Sequence, residues 1–559
     1  MFIIPVFENP LVHIRTGGDV LTVRKTDGTA DESSPGDMAA GMAAVERWIG
    51  NPVSRSLLRF VAARDACGDR LSNAIDYYLK KGDPAHQLCW KCRLAGKLVG
   101  STIRTGGRLF GVEEDAIRQG LTEPVFKRGL MNVMTGIARY GVTRPQIVNA
   151  PFLVVWDITH LCNLKCRHCY QDARKELPDE LGTEEAKRLI RELADAGVVV
   201  IAFSGGEPLM RKDFFEIAAC AKAEGMYVAL ASNGTMITPA VAGKLRKTGI
   251  DYVEVSVDGK DAARHDAMRG IEGAFDRSVA GIRNCVSEGI YTCVATTVTQ
   301  DNYSQVPEIY RLVQDLGATR LICFNFIPVG RGVAIAGKDV TPCQREDLLK
   351  FILAKNVPGH MPEVLSTAPQ FARVAVEQEE GSGIPVGHFH LGSGMQGKGR
   401  ILADFIGGCG AGRLYCSIEP QGDVQPCVFL PVMVGNIRKQ PFLEIWHSAP
   451  MLRQLRDRDL LTGNCGSCTN KYICGGCRAR AWSYFHDVTK PDPGCIRNLE
   501  AWEEIAAGCC PPVHGLSPAW QEEVSLPGQS SLPMAHAAPA QASVPRTAFP
   551  GVREMGTGK

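Results

Sequence analysis

Strand-like and helix-like segments alternate between residues 150 and 330, which predicts an α/β fold built on a parallel sheet with helices outside it. Two observations carry this expectation. Six runs rich in β-branched and aromatic residues recur at regular intervals, with amphipathic segments between them. The strand runs are apolar on both faces, as in sheets covered by helices on both sides. A helical region precedes this core, and a cysteine-rich region follows it.

Residues 1–40 are weakly patterned, with Gly17-Gly18 and Ser33-Ser34-Pro35-Gly36, and are expected to form a flexible arm. Residues 41–148 carry apolar side chains at helical spacing, as in Ser56-Leu57-Leu58-Arg59-Phe60-Val61 and Leu130-Met131-Asn132-Val133-Met134. They are expected to form a helical domain docked on the core; a substrate-recognition module is the alternative. Cys89 and Cys92 lie in this region and are expected to be buried free thiols, because one C-x2-C pair is weak evidence for a metal.

The predicted strands are 152–159, 198–204, 227–232, 252–257, 291–298 and 321–327. The predicted helices between them are 183–196, 213–224, 239–247, 274–288 and 303–316. In barrels of this kind the chemistry sits at the C-terminal strand ends. Residues 149–335 form this barrel unit. Residues 336–400 read as a linker and substrate-side loop with a helix over 344–354, and His388 and His390 in it read as incidental. Residues 401–510 are the cysteine-rich unit, and 511–559, rich in Pro, Ala and Ser, should be disordered. Cys509 and Cys510 receive no role.

The chain has 559 residues, 45% hydrophobic and 22% charged, with a net charge of +2. That balance gives no electrostatic footprint for nucleic acid or an anionic membrane. No apolar run reaches the roughly 20 residues that span a bilayer. The N-terminus lacks the basic start of a signal peptide. A cytoplasmic location is therefore expected. The 21 cysteines, many in tight C-x2-C groups, favour metal over disulfides.

The most informative stretch is Leu161-Cys162-Asn163-Leu164-Lys165-Cys166-Arg167-His168-Cys169-Tyr170, with cysteines at C-x3-C-x2-C. Three thiolates on one loop can bind three irons of a [4Fe–4S] cube and leave the fourth open. A structural zinc loop would want four ligands in a closed tetrahedron. Gly205-Gly206-Glu207-Pro208 follows at a later strand end. Together these residues resemble the radical SAM (S-adenosylmethionine) superfamily, and the resemblance implies a partial (β/α)6 barrel. It further implies that Cys162, Cys166 and Cys169 hold the catalytic cluster. Tyr170 would pack near the adenine. Gly205, Gly206, Glu207 and Pro208 would receive the methionine amino group, with Glu207 offering negative charge to it. Ser232 and Asn233 would face the same cavity. Ser256 and Asp258 would bond the ribose, and Arg269 would pair with the methionine carboxylate.

The second cysteine region runs Cys409, Cys416, Cys427, then Cys465, Cys468, Cys474, Cys477, then Cys495, with Gly422 five positions before Cys427. It resembles the SPASM extension of that superfamily, with one residue fewer before Cys477. Zinc ribbons are the rival, since paired C-x2-C groups also hold zinc. The resemblance implies two auxiliary [4Fe–4S] clusters. Cys409, Cys416, Cys427 and Cys477 would hold one, and Cys465, Cys468, Cys474 and Cys495 the other.

The implied activity is reductive cleavage of S-adenosylmethionine to a 5′-deoxyadenosyl radical, followed by hydrogen abstraction from a substrate for an oxidative modification. The barrel wording resembles tetrapyrrole-side-chain enzymes, including haem synthases that decarboxylate propionates. The cysteine region resembles peptide and protein maturases equally. Sulfatase-maturing members carry aspartate after the cysteine matching Cys427, and this chain has Val428. A one-electron reductant of ferredoxin or flavodoxin type would be the partner. The contrasting expectation is a non-catalytic iron–sulfur electron carrier or scaffold that retains the barrel.

Overall fold

The computed structural model describes residues 51–79, 88–110, 114–356, 360–378, 385–386, 389–390 and 399–506. The expected arm over 1–40 and tail over 511–559 lie outside these residues, as do His388, Cys509 and Cys510.

The described residues open with α1 (Pro52–Val61), a small hairpin of β1 (Arg64–Asp65) and β2 (Gly68–Asp69), α2 (Arg70–Leu79), α3 (Trp90–Phe110), α4 (Glu114–Thr122) and α5 (Pro124–Tyr140). Leu71, Ala74, Ile75, Tyr78, Ala95 and Val99 form the core of this unit. Helix α5 carries it onto the sheet. Its Asn132 side chain donates to Ala150 O (2.8 Å) and accepts from Ala150 N (3.0 Å). Arg128 donates to Val198 O (3.2 Å) and Glu224 O (2.6 Å). These partners lie at the N-terminal ends of the strands. The unit is thus docked at the end of the sheet opposite to the motifs.

The barrel strands are β3 (Leu153–Thr159), β4 (Val200–Gly205), β5 (Tyr227–Ser232), β6 (Tyr252–Ser256), β7 (Tyr291–Val298) and β8 (Arg320–Asn325). Each pairs in parallel with the next. Between them run α6 (Thr183–Ala196), α7 (Phe214–Ala223), α8 (Pro239–Thr248), α9 (Ala262–Arg269), α10 (Ala274–Ser287) and α11 (Val306–Asp315). Strand β3 is buried along its whole length, as a strand covered on both faces must be. The expected elements agree to within two residues at nearly every boundary. The exceptions are α9, which sequence periodicity missed, and the first turn of α11, which is a separate 3₁₀ turn (Tyr303–Gln305). Helix α9 is short and polar and has no apolar period to read. It starts because the Asp261 side chain accepts the Arg264 N–H at 3.0 Å.

Both sheet edges are extended from later in the chain. After α12 (Pro342–Lys355), β9 (Glu363–Ser366) joins β8 in parallel. Next come α13 (Gln370–Glu377), β10 (Pro385–Val386), β11 (Phe389–His390) and α14 (Gly399–Ile406). Then β12 (Tyr415–Ile418) joins β3 in parallel, and β13 (Asp423–Gln425) and β14 (Gly435–Asn436) follow antiparallel. The sheet order is β14-β13-β12-β3-β4-β5-β6-β7-β8-β9, an open arrangement. Strand β9 falls where a linker was expected. Such four-residue strands take their conformation from the unpaired edge they cover, so their own composition says little.

The last described residues hold α15 (Phe442–Ser448), α16 (Pro450–Arg456), α17 (Gly463–Ser467), α18 (Arg478–Phe485) and α19 (Leu499–Ala506). A buried ionic knot ties this segment to the barrel. Arg480 pairs with Asp339 and donates to Phe326 O (2.6 Å). Arg345 reaches Asp339 (2.7 Å), Asn325 Oδ1 (2.8 Å) and Gly494 O (3.1 Å). Among the described residues no helix is long and apolar enough to cross a membrane.

Candidate active site

The cysteine loop leaves the C-terminal end of β3 and is pinned from three sides by backbone hydrogen bonds. From β4, Gly206 N donates to Thr159 O (2.7 Å) and Glu207 N to Leu161 O (2.8 Å). From α9, Arg269 O accepts Lys165 N (3.1 Å) and Met268 O accepts Arg167 N (2.9 Å). From beyond β8, Arg331 N donates to Cys169 O (2.9 Å), and its guanidinium donates to Cys166 O (2.9 Å). The approach is so close that a Cβ on Gly206 would stand 2.1 Å from Leu161 O, and one on Gly330 2.3 Å from Tyr170 O.

A cavity with about 1100 Å³ of empty volume opens at the C-terminal strand ends. Cys162, Cys166, Cys169, Tyr170, Gly205, Gly206, Ser232, Asn233, Ser256 and Arg269 all line it. Three of the expected residues stand behind the wall instead. Glu207 is fully buried, and its two oxygens are taken up by the chain itself. Oε1 accepts Ser232 Oγ (2.9 Å) and Leu209 N (3.2 Å), and Oε2 accepts Asn233 N (2.8 Å). It therefore fixes the end of β5 rather than presenting a charge to the cavity. Burial lifts its carboxyl to about 7. Pro208 opens the short 3₁₀ turn behind it.

Asp258, also buried, meets Arg269 Nε at 2.7 Å and His168 Nε2 at 3.3 Å, and accepts Thr297 N at 2.8 Å. Burial works against its charge, but Arg269 and His168 hold it below the usual carboxylate range. His168 is itself pushed down to about 4 by burial, so at neutral pH it is an uncharged imidazole. Asp258 thereby orients Arg269, whose Nη1 lies 3.7 Å from Cys166 Sγ. The Tyr170 hydroxyl donates to Asp157 Oδ1 (3.1 Å), and its ring meets Phe429 edge-on at 5.3 Å.

The donor set suits a thiophilic group. Burial pushes Cys162 up to about 12 and raises Cys166. Empty, these thiols hold their protons, whereas a bound metal deprotonates coordinating thiols outright. Leu164 N (3.4 Å from Cys162 Sγ) and Arg269 supply the hydrogen-bond donors a thiolate needs.

Residues 156–313 match the radical SAM superfamily, and residues 409–469 match the SPASM iron-sulfur cluster-binding domain. An AdoMet-dependent heme synthase of Methanosarcina barkeri is 38% identical over 351 residues, covering 63% of this chain and 97% of the relative. The chain belongs to the radical SAM superfamily.

Other relatives of this radical SAM enzyme are a pre-heme d1 synthase of Dinoroseobacter shibae (32% identical, 64% of this chain, 89% of the relative) and a mycofactocin maturase of Mycolicibacterium smegmatis (33%, 64%, 84%). Among solved structures, Streptococcus suis SuiB bound to S-adenosylmethionine shares the fold. Its TM-score is 0.54 at 16% identity, covering 76% of this chain and 93% of SuiB. The family, with relatives named as synthases and maturases, makes this an enzyme that binds S-adenosylmethionine and iron–sulfur groups, and sets aside the expectation of a non-catalytic iron–sulfur carrier or scaffold.

In the SPASM segment of this radical SAM enzyme, Cys409, Cys427 and Cys477 line a second cavity of about 460 Å³ of empty volume. Asn325, Ile327 and Phe429 line both cavities, so the two sites share a wall. Cys416 is not brought to this cavity. Successive side chains on a strand point to opposite faces. Tyr415 takes the cavity side of β12, and the charged neighbour of Cys416 is Arg456. Cys465, Cys474 and Cys495 lie close enough for their charges to act on one another. Cys465 accepts Asp492 N (3.4 Å), Cys474 accepts Gly476 N (3.4 Å), and Cys468 accepts Arg497 Nη1 (3.4 Å).

Sequence reasoning missed Glu254. It stands on β6 two residues before Ser256, lines the first cavity, and is buried with Oε2 lacking a hydrogen-bond partner. Burial raises its carboxyl. A lone glutamate inside the apolar run Tyr252-Val253-Glu254-Val255 was the available signal. Phe324, Phe429 and Val428 complete that wall.

Proposed function

We propose that this enzyme oxidatively modifies a tetrapyrrole side chain by a haem-synthase-like decarboxylation. Its similarity to the heme synthase across 97% of that relative's length carries the reading. The wall of Phe324, Phe429, Val428 and Ile327 supports it, because aromatic and aliphatic faces suit a flat macrocycle.

In this reading Cys162, Cys166 and Cys169 hold the cluster that binds S-adenosylmethionine. The backbone at Gly205 and Gly206 receives the amino group, Arg269 the carboxylate, Ser232, Asn233 and Ser256 the polar edge of the nucleoside, and Tyr170 the adenine side. Glu207 and Asp258 act as positioning residues behind them. Two auxiliary clusters follow, one on Cys409, Cys427 and Cys477, the other on Cys465, Cys468, Cys474 and Cys495. When bound, these groups supply one-electron chemistry: an electron in to cleave the sulfonium, and an electron out once the substrate radical has formed. A propionate that loses one hydrogen atom from its β-carbon, then carbon dioxide and one electron, becomes a vinyl group. The protein's task is to hold that β-carbon near the first cavity and to keep water out. A ferredoxin- or flavodoxin-type reductant in the cytoplasm would supply the incoming electron. The unit boundaries proposed are 41–148, 149–335, 336–400 and 401–510.

The test is anaerobic reconstitution and dithionite reduction with iron-coproporphyrin, followed by mass spectrometry. Loss of one formic-acid equivalent per modified side chain, with 5′-deoxyadenosine formed, is the expected result. Turnover of a peptide encoded nearby, with the porphyrin untouched, would move the assignment to the maturases.

A further inference from the structure

The N-terminal helical unit holds a cysteine cluster that neither the barrel nor the SPASM segment uses. Cys67 sits at the turn of the β1–β2 hairpin, Cys89 just before α3, and Cys92 in its first turn. Their three Sγ atoms all lie within 4.8 Å of one another, and Cys89 and Cys92 are 3.5 Å apart. Among the described residues this is the only such group of three Cys, His, Asp or Glu donors. We propose that Cys67, Cys89 and Cys92 bind a single zinc ion that staples the hairpin to α3.

Spacing argues for one ion rather than another cluster. Thiolates on tetrahedral zinc, each about 2.3 Å from the metal, stand about 3.8 Å apart. A cube of four irons separates its thiolates further. The barrel and SPASM cysteines, which the family assigns to such cubes, form no group at single-ion spacing among the described residues. Three soft thiolates select zinc over magnesium, calcium or manganese.

The surroundings are organised around the sulfurs. Asn73 on α2 donates to Cys67 O (2.8 Å), and the same Nδ2 lies 3.7 Å from Cys92 Sγ, so one amide spans the hairpin and the helix. Cys67 N donates to Asp65 Oδ1 (2.9 Å), and Arg70 holds Asp65 in a 2.5 Å ion pair. Such supporting bonds orient ligands in established metal sites. Among the described residues no fourth donor joins at that spacing, so a closed tetrahedron takes its fourth ligand from outside them or from water. Binding releases the thiol protons and adds its free energy to the folding of this small unit.

The test is metal analysis of the anaerobically purified full chain, with zinc supplied in the medium. About one zinc per chain is expected, with X-ray absorption showing mainly sulfur neighbours near 2.3 Å. Cys67→Ser and Cys92→Ser should lose that zinc and keep their iron, while Cys343→Ser keeps both. The proposal is overturned by a wild type without zinc, by zinc in a nitrogen–oxygen shell, or by a native Cys89–Cys92 disulfide. Zinc retained in both variants, or lost from Cys343→Ser, overturns it equally. So does a loss of iron in place of zinc, which would mark a cluster.

Discussion

Glu207 is where single-residue chemistry matters most. Its carboxyl accepts three hydrogen bonds from the end of β5 and the turn after β4. Glu207→Gln replaces one acceptor oxygen by a donor facing N–H or O–H groups. It should cost about 1–3 kcal/mol and weaken S-adenosylmethionine binding, measured by calorimetry and by 5′-deoxyadenosine yield. The folded carboxyl, at about 7, lies above its ordinary value of 4.5. The folded state therefore holds this proton more tightly than the unfolded chain does. The stabilisation it provides is complete below about pH 4.5 and is lost as pH rises through about 7. Denaturant midpoints taken from about pH 5 to about pH 8 should fall in the wild type and flatten in the Gln variant. Glu254 makes a contrasting prediction. It faces the cavity without stabilising the loop, so Glu254→Gln should lower substrate conversion while 5′-deoxyadenosine still forms. Equal losses of both would assign it to cofactor binding instead. The sequence singled out many of the residues that line the cavity, though not Glu254, and it did not show their pairing. Asp258 and Arg269 read as separate ligand contacts and prove to be one ion pair, because spatial partners are set by the sheet and not by chain order.

At the scale of elements, β-branched runs and capped amphipathic helices made the six-unit barrel readable, since each strand is buried by its own composition. The cluster loop was readable as a motif, but the bonds that pin it to α9 and to Arg331 were not, because all of them but the Arg331 guanidinium bond involve no particular side chain. Gly206→Ala tests this pinning. The added methyl cannot coexist with Leu161 O, so the loop must move, at about 1–3 kcal/mol. Iron at the first site should fall while the SPASM iron remains, as Mössbauer spectroscopy would show. Strand β12 supplies a second test. Its alternation turns Cys416 away from the cavity that holds Cys427. Cys416→Ser should therefore keep its full iron content, whereas Cys427→Ser should lose iron. The family resemblance placed both in one ligand set, because a pattern of cysteines ignores which face of a strand each occupies.

For the whole molecule, the buried Asp339 knot joins barrel and SPASM segment. Asp339→Ala leaves Arg345 buried without its carboxylate partner and Arg480 with only the more distant Asp492 (3.6 Å). It should cost about 3–5 kcal/mol and expose the junction to limited proteolysis before the barrel unfolds. The pairing of β12 with β3 has a further consequence, for synthesis. Tyr415 leaves the ribosome about 250 residues after Thr159, on the order of 10–50 s later at ordinary elongation rates. Throughout that interval one flank of β3 has no neighbour, and an open, apolar strand flank invites pairing with other chains. A nascent chain arrested before residue 415 should therefore require a chaperone to stay monomeric, while one extended past β12 should not.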